Sequence, residues 1–218
     1  MLISFFASFA AASNLPIDAV VSIKGGIIES NSWITIGTGT YVCMEAGCGI
    51  LTAAHVGVAI QLAPDIEICS AETDNCTSIT SSYITIDKNE DGLPDADWAL
   101  FPLSEKPRWL GRAKFSTAVR GEVVTAVGYP WSGFWMSSGL VVGVADAINN
   151  ATQLGPKILL VDANIAPGSS GGPLFDRHGK IVGIVAAHAI EPGPNSEDMQ
   201  IYWQCMAVPT EVITNDYR

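Results

Sequence analysis

Three separated segments hold side chains that could together break an amide bond: Leu51-Thr-Ala-Ala-His55, Asp95-Ala-Asp97-Trp-Ala-Leu100 and Ala166-Pro-Gly-Ser-Ser-Gly-Gly-Pro-Leu-Phe175. Amide hydrolysis by a serine needs a base for the hydroxyl proton, an acid that orients the base, and donors for the developing oxyanion. Ser170 is the candidate nucleophile, because Gly171, Gly172 and Pro173 follow it directly and a glycine-rich turn lets backbone amides approach a substrate. Taken alone, such a segment is also an ordinary Gly-Ser hairpin loop. His55 is the candidate base, since an ordinary imidazole, with a pKa of about 6.5, is largely neutral at pH 7 and free to accept a proton. A lone histidine on an apolar stretch is otherwise a core residue. His178, in Asp176-Arg-His-Gly-Lys180, reads as a hairpin tip, and His188 lies beyond a strand. The orienting acid is Asp97 or its rival Asp95, beside the apolar Trp98-Ala-Leu-Phe101.

The elements that must hold these side chains are strands. Short β-branched runs interrupted by glycine recur: Ala19 to Ile23, Trp33 to Val42, Ser82 to Ile86, Trp98 to Phe101, Glu122 to Val127, Gly139 to Val144, Lys157 to Val161, Ile181 to Val185 and Ile201 to Val208. Helical pattern is confined to Ala53 to Val58 and to Pro209 to Thr214, where proline suits a helix start. The class is all-β. Strands at this spacing suit a sandwich or a barrel fold, and two six-stranded antiparallel barrels with a short C-terminal helix would fit and would protect their edges. The boundaries follow: an N-terminal barrel over about 17–104, a linker over about 105–118 that carries Pro107 and Gly111 with little alternation, and a C-terminal barrel over about 119–208.

Composition narrows the function classes. With 218 residues, 48% apolar and only 15% charged, the chain is neither disordered nor coiled-coil. A net charge of −11 repels phosphate backbones and acidic membrane surfaces, so neither nucleic acid nor a membrane surface is an expected partner. Residues 65–97 hold nine acids and one base, Lys88, whereas Lys106, Arg108, Arg112, Lys114 and Arg120 fall in a stretch without an acid, which describes two oppositely charged solvated faces. Residues 1–12 are apolar and end in small residues, as a signal peptide or an apolar N-terminal segment does, and they are too short to span a bilayer. Stable membrane insertion is therefore not expected, and a secreted or periplasmic location is. Cys43 with Cys48 and Cys69 with Cys76 read as bridged hairpin tips, while Cys205 in Trp-Gln-Cys-Met-Ala-Val reads as a buried thiol.

The chain resembles the trypsin-like, chymotrypsin-fold serine proteases, with His, Asp and Ser in that order, and most of all the Deg/Do (HtrA-type) branch. The segments that carry the resemblance are Val161 to Phe175, Gly121-Glu-Val-Val-Thr-Ala-Val-Gly-Tyr-Pro130 and Gly37-Thr-Gly-Thr-Tyr41. It implies a double β-barrel with the site between the lobes, His55, Asp97 and Ser170 as the triad, and Asp97 over Asp95, because the family sets the acid directly before a bulky-Ala-bulky sequence. It further implies a serine endopeptidase acting on polypeptides through an acyl-enzyme, without a cofactor. The oxyanion hole then falls on the amides of Gly168 and Ser170. Ser169 stands where digestive trypsins carry an aspartate that pairs with a new N-terminus, so activation by that cleavage is not expected. The substrate pocket maps onto Asn164 at its base and Ile165, Ala186, Ala187 and His188 at its walls. None is acidic, so small or medium aliphatic side chains are expected rather than Lys or Arg. The alternative that His188 shapes an acid-accepting pocket lacks the position seen in glutamate-specific relatives. About ten residues follow the last strand, so a PDZ module is not expected.

Two features stand outside this reading. Asp87, Asn89, Asp91, Gly92 and Asp95 copy the start of a calcium loop, but Trp98 occupies the twelfth position, so a solvated acidic turn is the plainer reading and structural calcium the weaker one. Trp131, Phe134 and Trp135 are read as packing between barrel and loop, with an exposed aromatic lip as the alternative. The rival to an enzyme is a catalytically silent relative that binds peptides or proteins in the same cleft.

Overall fold

The computed structural model describes residues 15–27, 32–45, 47–63, 65–70, 72–73, 75–79, 85–86, 96–146, 156–192 and 199–215, with 85–86, 187–192, 199–204 and 215 described through their backbone only. The first sheet takes seven strands, β1 (Val20–Ile27), β2 (Ser32–Met44), β3 (Gly47–Thr52), β4 (Ile66–Ser70), β5 (Cys76–Ile79), β6 (Thr85–Ile86) and β7 (Ala99–Pro102), in the order β5-β4-β1-β2-β3-β7-β6. Helix α1 (Ala54–Leu62) joins β3 to β4 and is longer than the sequence pattern indicates. All the pairings in this sheet are antiparallel, and among the described residues none closes β5 onto β6.

The second sheet holds β8 (Lys114–Phe115), β9 (Val123–Gly128), β10 (Trp135–Asp146), β11 (Lys157–Val161), β12 (Pro173–Phe175), β13 (Lys180–Pro192) and β14 (Met199–Pro209), followed by α2 (Thr210–Asn215). Here β12 pairs with both β9 and β13, which closes β12-β9-β10-β11-β14-β13 into a six-stranded antiparallel barrel. The two-residue β8, inside the stretch read as a linker, adds to β13 in parallel. Among the described residues the lobes thus differ: one is a closed six-stranded barrel with an added strand, the other a seven-stranded half-barrel.

Each lobe has its own core, around Ile23, Ile50, Ile68 and Phe101 in the first and around Val124, Val161, Leu174 and Val182 in the second. A third cluster joins them, packing Val42, Leu51 and Trp98 from the first lobe with Phe175, Ile184 and Val208 from the second. The two hairpin disulfides connect residues directly opposite each other, Cys43 to Cys48 across β2 and β3 and Cys69 to Cys76 across β4 and β5. Residues 1–12 and the calcium-loop candidates Asp87, Asn89, Asp91 and Asp95 lie outside the described residues.

Candidate active site

His55 enters the site from the first turn of α1. Ala53, the residue that caps this helix, has no side-chain acceptor for the free amides of the first turn, and the Asp97 carboxylate supplies one from across the lobe. Asp97 Oδ1 accepts from the His55 backbone N at 3.0 Å, and both its oxygens face the imidazole, with Oδ2 2.8 Å and Oδ1 3.1 Å from Nδ1. Nδ1 against a carboxylate carries the proton, which leaves Nε2 as the acceptor on the ring's other side. Asp97 is only 5% exposed, whereas His55 is open to solvent. The neighbouring Trp98 is fully buried in the cluster that joins the lobes, so the carboxylate has little freedom to swing away.

Ser170 comes from the second lobe, and its loop is laid directly against the elements that carry His55. Its carbonyl accepts from Thr38 N on β2 at 2.8 Å. A Cβ on Gly171 would collide with Thr52 Oγ1 and stand 2.8 Å from Ala53 N, and a Cβ on Gly37 would stand 3.1 Å from the Ser170 carbonyl and 2.7 Å from Val56 Cγ2. The chain on both sides of His55, Ala53 and Val56, therefore borders the Ser170 turn. Glycine at 37 and 171 permits that approach, and Gly171 also adopts a φ of +81° that side chains resist. The half-buried Ser170 hydroxyl takes no hydrogen bond among the described residues.

The amides of this loop divide into two sets. Ser169 N donates to Ala166 O at 2.9 Å, Gly171 N to Val185 O at 2.7 Å and Gly172 N to Ser169 O at 2.9 Å. Gly168 N and Ser170 N donate to nothing among the described residues. Their direction follows from the carbonyls they share peptide groups with, because a trans peptide holds C=O and N–H on opposite sides. The Pro167 carbonyl accepts from Trp131 N at 3.2 Å and the Ser169 carbonyl from Gly172 N, so the Gly168 and Ser170 amides point away from those partners. Two free backbone donors flanking a serine are what an oxyanion requires.

Next to this loop lies a cavity of about 260 Å³ lined by Pro130, Trp131, Trp135, Asn164, Ile165 and Ala166. It gathers Asn164 and Ile165 from the residues named for a substrate pocket. Ala186 is buried but does not line it, and Ala187 and His188 are described only as backbone in β13. The aromatic side chains are exposed rather than packed inside: Trp131 is 70% and Trp135 50% accessible, while Phe134 keeps an edge contact to Tyr129. The packing reading fails because the chain turns outward here, with Trp131 and Ser132 both at positive φ.

Away from the site, burial pushes the Cys205 thiol up to about 12, so it stays protonated and unreactive near neutral pH. Desolvation likewise raises the Tyr129 phenol, with Glu72 adding to it. His178 sits at the hairpin tip, where the buried Asp176 carboxylate accepts from the amides of His178 and Lys180. Glu67, Cys69 and Cys76 come close enough to suit a cation, but both sulfurs are tied in the disulfide. The residue the sequence left without a role is Thr38, inside the Gly-Thr-Gly segment of β2.

The family model for the trypsin-like peptidase domain matches residues 37–184 of the chain. Over 70 residues the chain is 40% identical to the serine protease Do-like HtrA of Bacillus subtilis (strain 168), a match that covers 29% of this chain and 16% of that protein. The HtrA-type protease AlgW solved with a tripeptide is similar in structure, with a TM-score of 0.67 at 21% identity over 94% of this chain and 60% of the other. The active form of the Rv3671c protease from M. tuberculosis gives a TM-score of 0.65 at 19% identity over 92% and 79%. The chain thus spans less than two-thirds of the length of the first two relatives.

Proposed function

The chain belongs to the trypsin-like peptidase family, and from that premise we propose that it is a serine endopeptidase that cleaves polypeptides through an acyl-enzyme. The observation that carries the reading is the His55 Nδ1 to Asp97 Oδ2 contact at 2.8 Å, made beside a serine loop with two unused amides. Ser170 Oγ bonds to the substrate carbonyl carbon as its proton passes to His55 Nε2, and the carbonyl electron pair moves onto oxygen, held by the Gly168 and Ser170 amides. Asp97 stabilises the imidazolium that forms. Collapse of the adduct breaks the C–N bond, Nε2 returns the proton to the leaving amine, and an ester remains on Ser170. Water repeats the sequence, with its proton passing to His55 and then to Ser170 as the acid product leaves.

No step requires a cofactor. Among the described residues no carboxylate lines the cavity beside Ala166, so a Lys or Arg side chain would find no countercharge from them, and the aliphatic preference read from Asn164 and Ile165 is kept as part of the proposal. Export is proposed from the two disulfides, which persist in oxidising compartments. Among the described residues no helix is long and apolar enough to cross a membrane. The test is turnover of an unfolded protein substrate: Ser170→Ala and His55→Ala each lose about three or more orders of magnitude with an unchanged circular dichroism spectrum. Turnover that survives Ser170→Ala refutes the reading.

A further inference from the structure

Thr38 is wholly buried on β2, and each of its polar atoms is engaged with a different part of the site. Its hydroxyl donates to the Gly168 carbonyl at 2.7 Å and accepts from Tyr129 N at 3.0 Å. Its backbone N donates to the Ser170 carbonyl at 2.8 Å, and its own carbonyl accepts from Thr52 Oγ1 at 2.7 Å, three residues before His55. One residue therefore links the strand before the histidine helix, through its carbonyl, with the segment leading to Trp131 and the serine loop, through its hydroxyl. The partners lie 91 and 130 residues away along the chain.

The consequence for the loop is specific. Gly168 has a φ of +101°, a conformation that glycine adopts because it lacks a Cβ, and the peptide group from Gly168 to Ser169, which lies between the two peptide groups carrying the free amides, is held at its N–H by Ala166 O and at its carbonyl by the Thr38 hydroxyl. The Thr38 hydroxyl holds that carbonyl inward, while Trp131 N holds the preceding one at Pro167. Tyr129 N, two residues before Trp131, donates to the same hydroxyl, so the two anchors share one short segment and the chain Tyr129 N–H to Thr38 O–H to Gly168 C=O is polarised in one direction. Resting on the peptidase reading above, we infer that Thr38 is a positioning residue whose hydroxyl fixes the peptide between the Gly168 and Ser170 amides and so steadies their direction for the oxyanion. A β-strand threonine whose only task was packing would use its methyl; here the hydroxyl carries both contacts.

The experiment compares Thr38→Val, which keeps the shape and deletes the hydroxyl, with Thr38→Ser, which keeps the hydroxyl, on a fluorogenic peptide cleaved by the wild type. Thr38→Val should lower kcat about 10- to 100-fold, a fraction of the loss seen when an oxyanion donor is removed outright. KM and inhibition by the product peptide, which needs no oxyanion, should stay within about two-fold. Thr38→Ser should retain kcat within about three-fold. A folded Thr38→Val with wild-type kcat, a loss expressed only in KM, or equal losses in the Val and Ser variants overturns the inference. Thr38→Ala carries the comparison if the valine variant does not fold, and failure of both to fold makes Thr38 structural only and also overturns it. Ser170→Ala run alongside separates the two claims: if it retains turnover the peptidase reading falls, and if it is inactive while Thr38→Val is normal, only the role of Thr38 falls.

Discussion

Asp97 does two things with one carboxylate, and its substitution should separate them. Asp97→Asn keeps an oxygen that can accept from the His55 amide but removes the charge that stabilises the imidazolium and favours the proton on Nδ1. Turnover should fall by about 10⁴. Asp97→Ala removes the cap as well, so it should match that loss and also destabilise the protein by about 1 kcal/mol relative to Asn in urea denaturation. Equal stability of the two variants would show that the carboxylate does not hold the start of α1. The acid and base proposed here are read from their local context in the sequence, Asp-Trp-Ala-Leu and Thr-Ala-Ala-His. The capping contact could not be, because it joins positions 42 apart and the capping residue itself is an alanine. Thr38 was opaque for the same reason: nothing local to Gly-Thr-Gly tells which distant carbonyl a hydroxyl will meet.

At the level of elements, legibility did not follow length: the four-residue β7 shows in Trp98 to Phe101, whereas the six-residue β3 and the five-residue β4 were not named. β1, β9 and β11 show in the apolar pattern, whereas β5, β8 and β12 are two to four residues long and owe their existence to their partners. β12 matters most, since its three residues pair on both sides and close the second barrel just after the Ser170 turn. The aromatic segment before β10 was misread because its outward turn depends on positive φ at Trp131 and Ser132, which neither residue type advertises. The disulfides were legible as hairpin tips, and their short loops bound their effect. Replacing either pair by serines should cost about 2 kcal/mol, the loop-closure value for so few residues, and lower Tm by about 4–8 °C. Loss of folding on removing one pair would show that the bridge does more than restrict the unfolded chain.

At the scale of the whole molecule, the site exists only because two lobes meet. His55 and Asp97 belong to the first, Ser170 and its free amides to the second, and the cluster of Val42, Leu51, Trp98, Phe175, Ile184 and Val208 sets the distance between them. An all-β, two-lobed chain was readable from alternation and spacing, but the difference between a closed barrel and a half-barrel was not, since closure rests on a few pairings at the ends of the strand order. On the proposed function, this meeting of lobes is what activates Ser170. Its most direct test is treatment of the wild type, Ser170→Ala and His55→Ala with a fluorophosphonate, read by intact mass and peptide mapping. One adduct is expected on the wild type, located at Ser170 and absent from both variants. An adduct elsewhere, an adduct at Ser170 that forms equally well without His55, or no adduct on folded wild-type protein would contradict it.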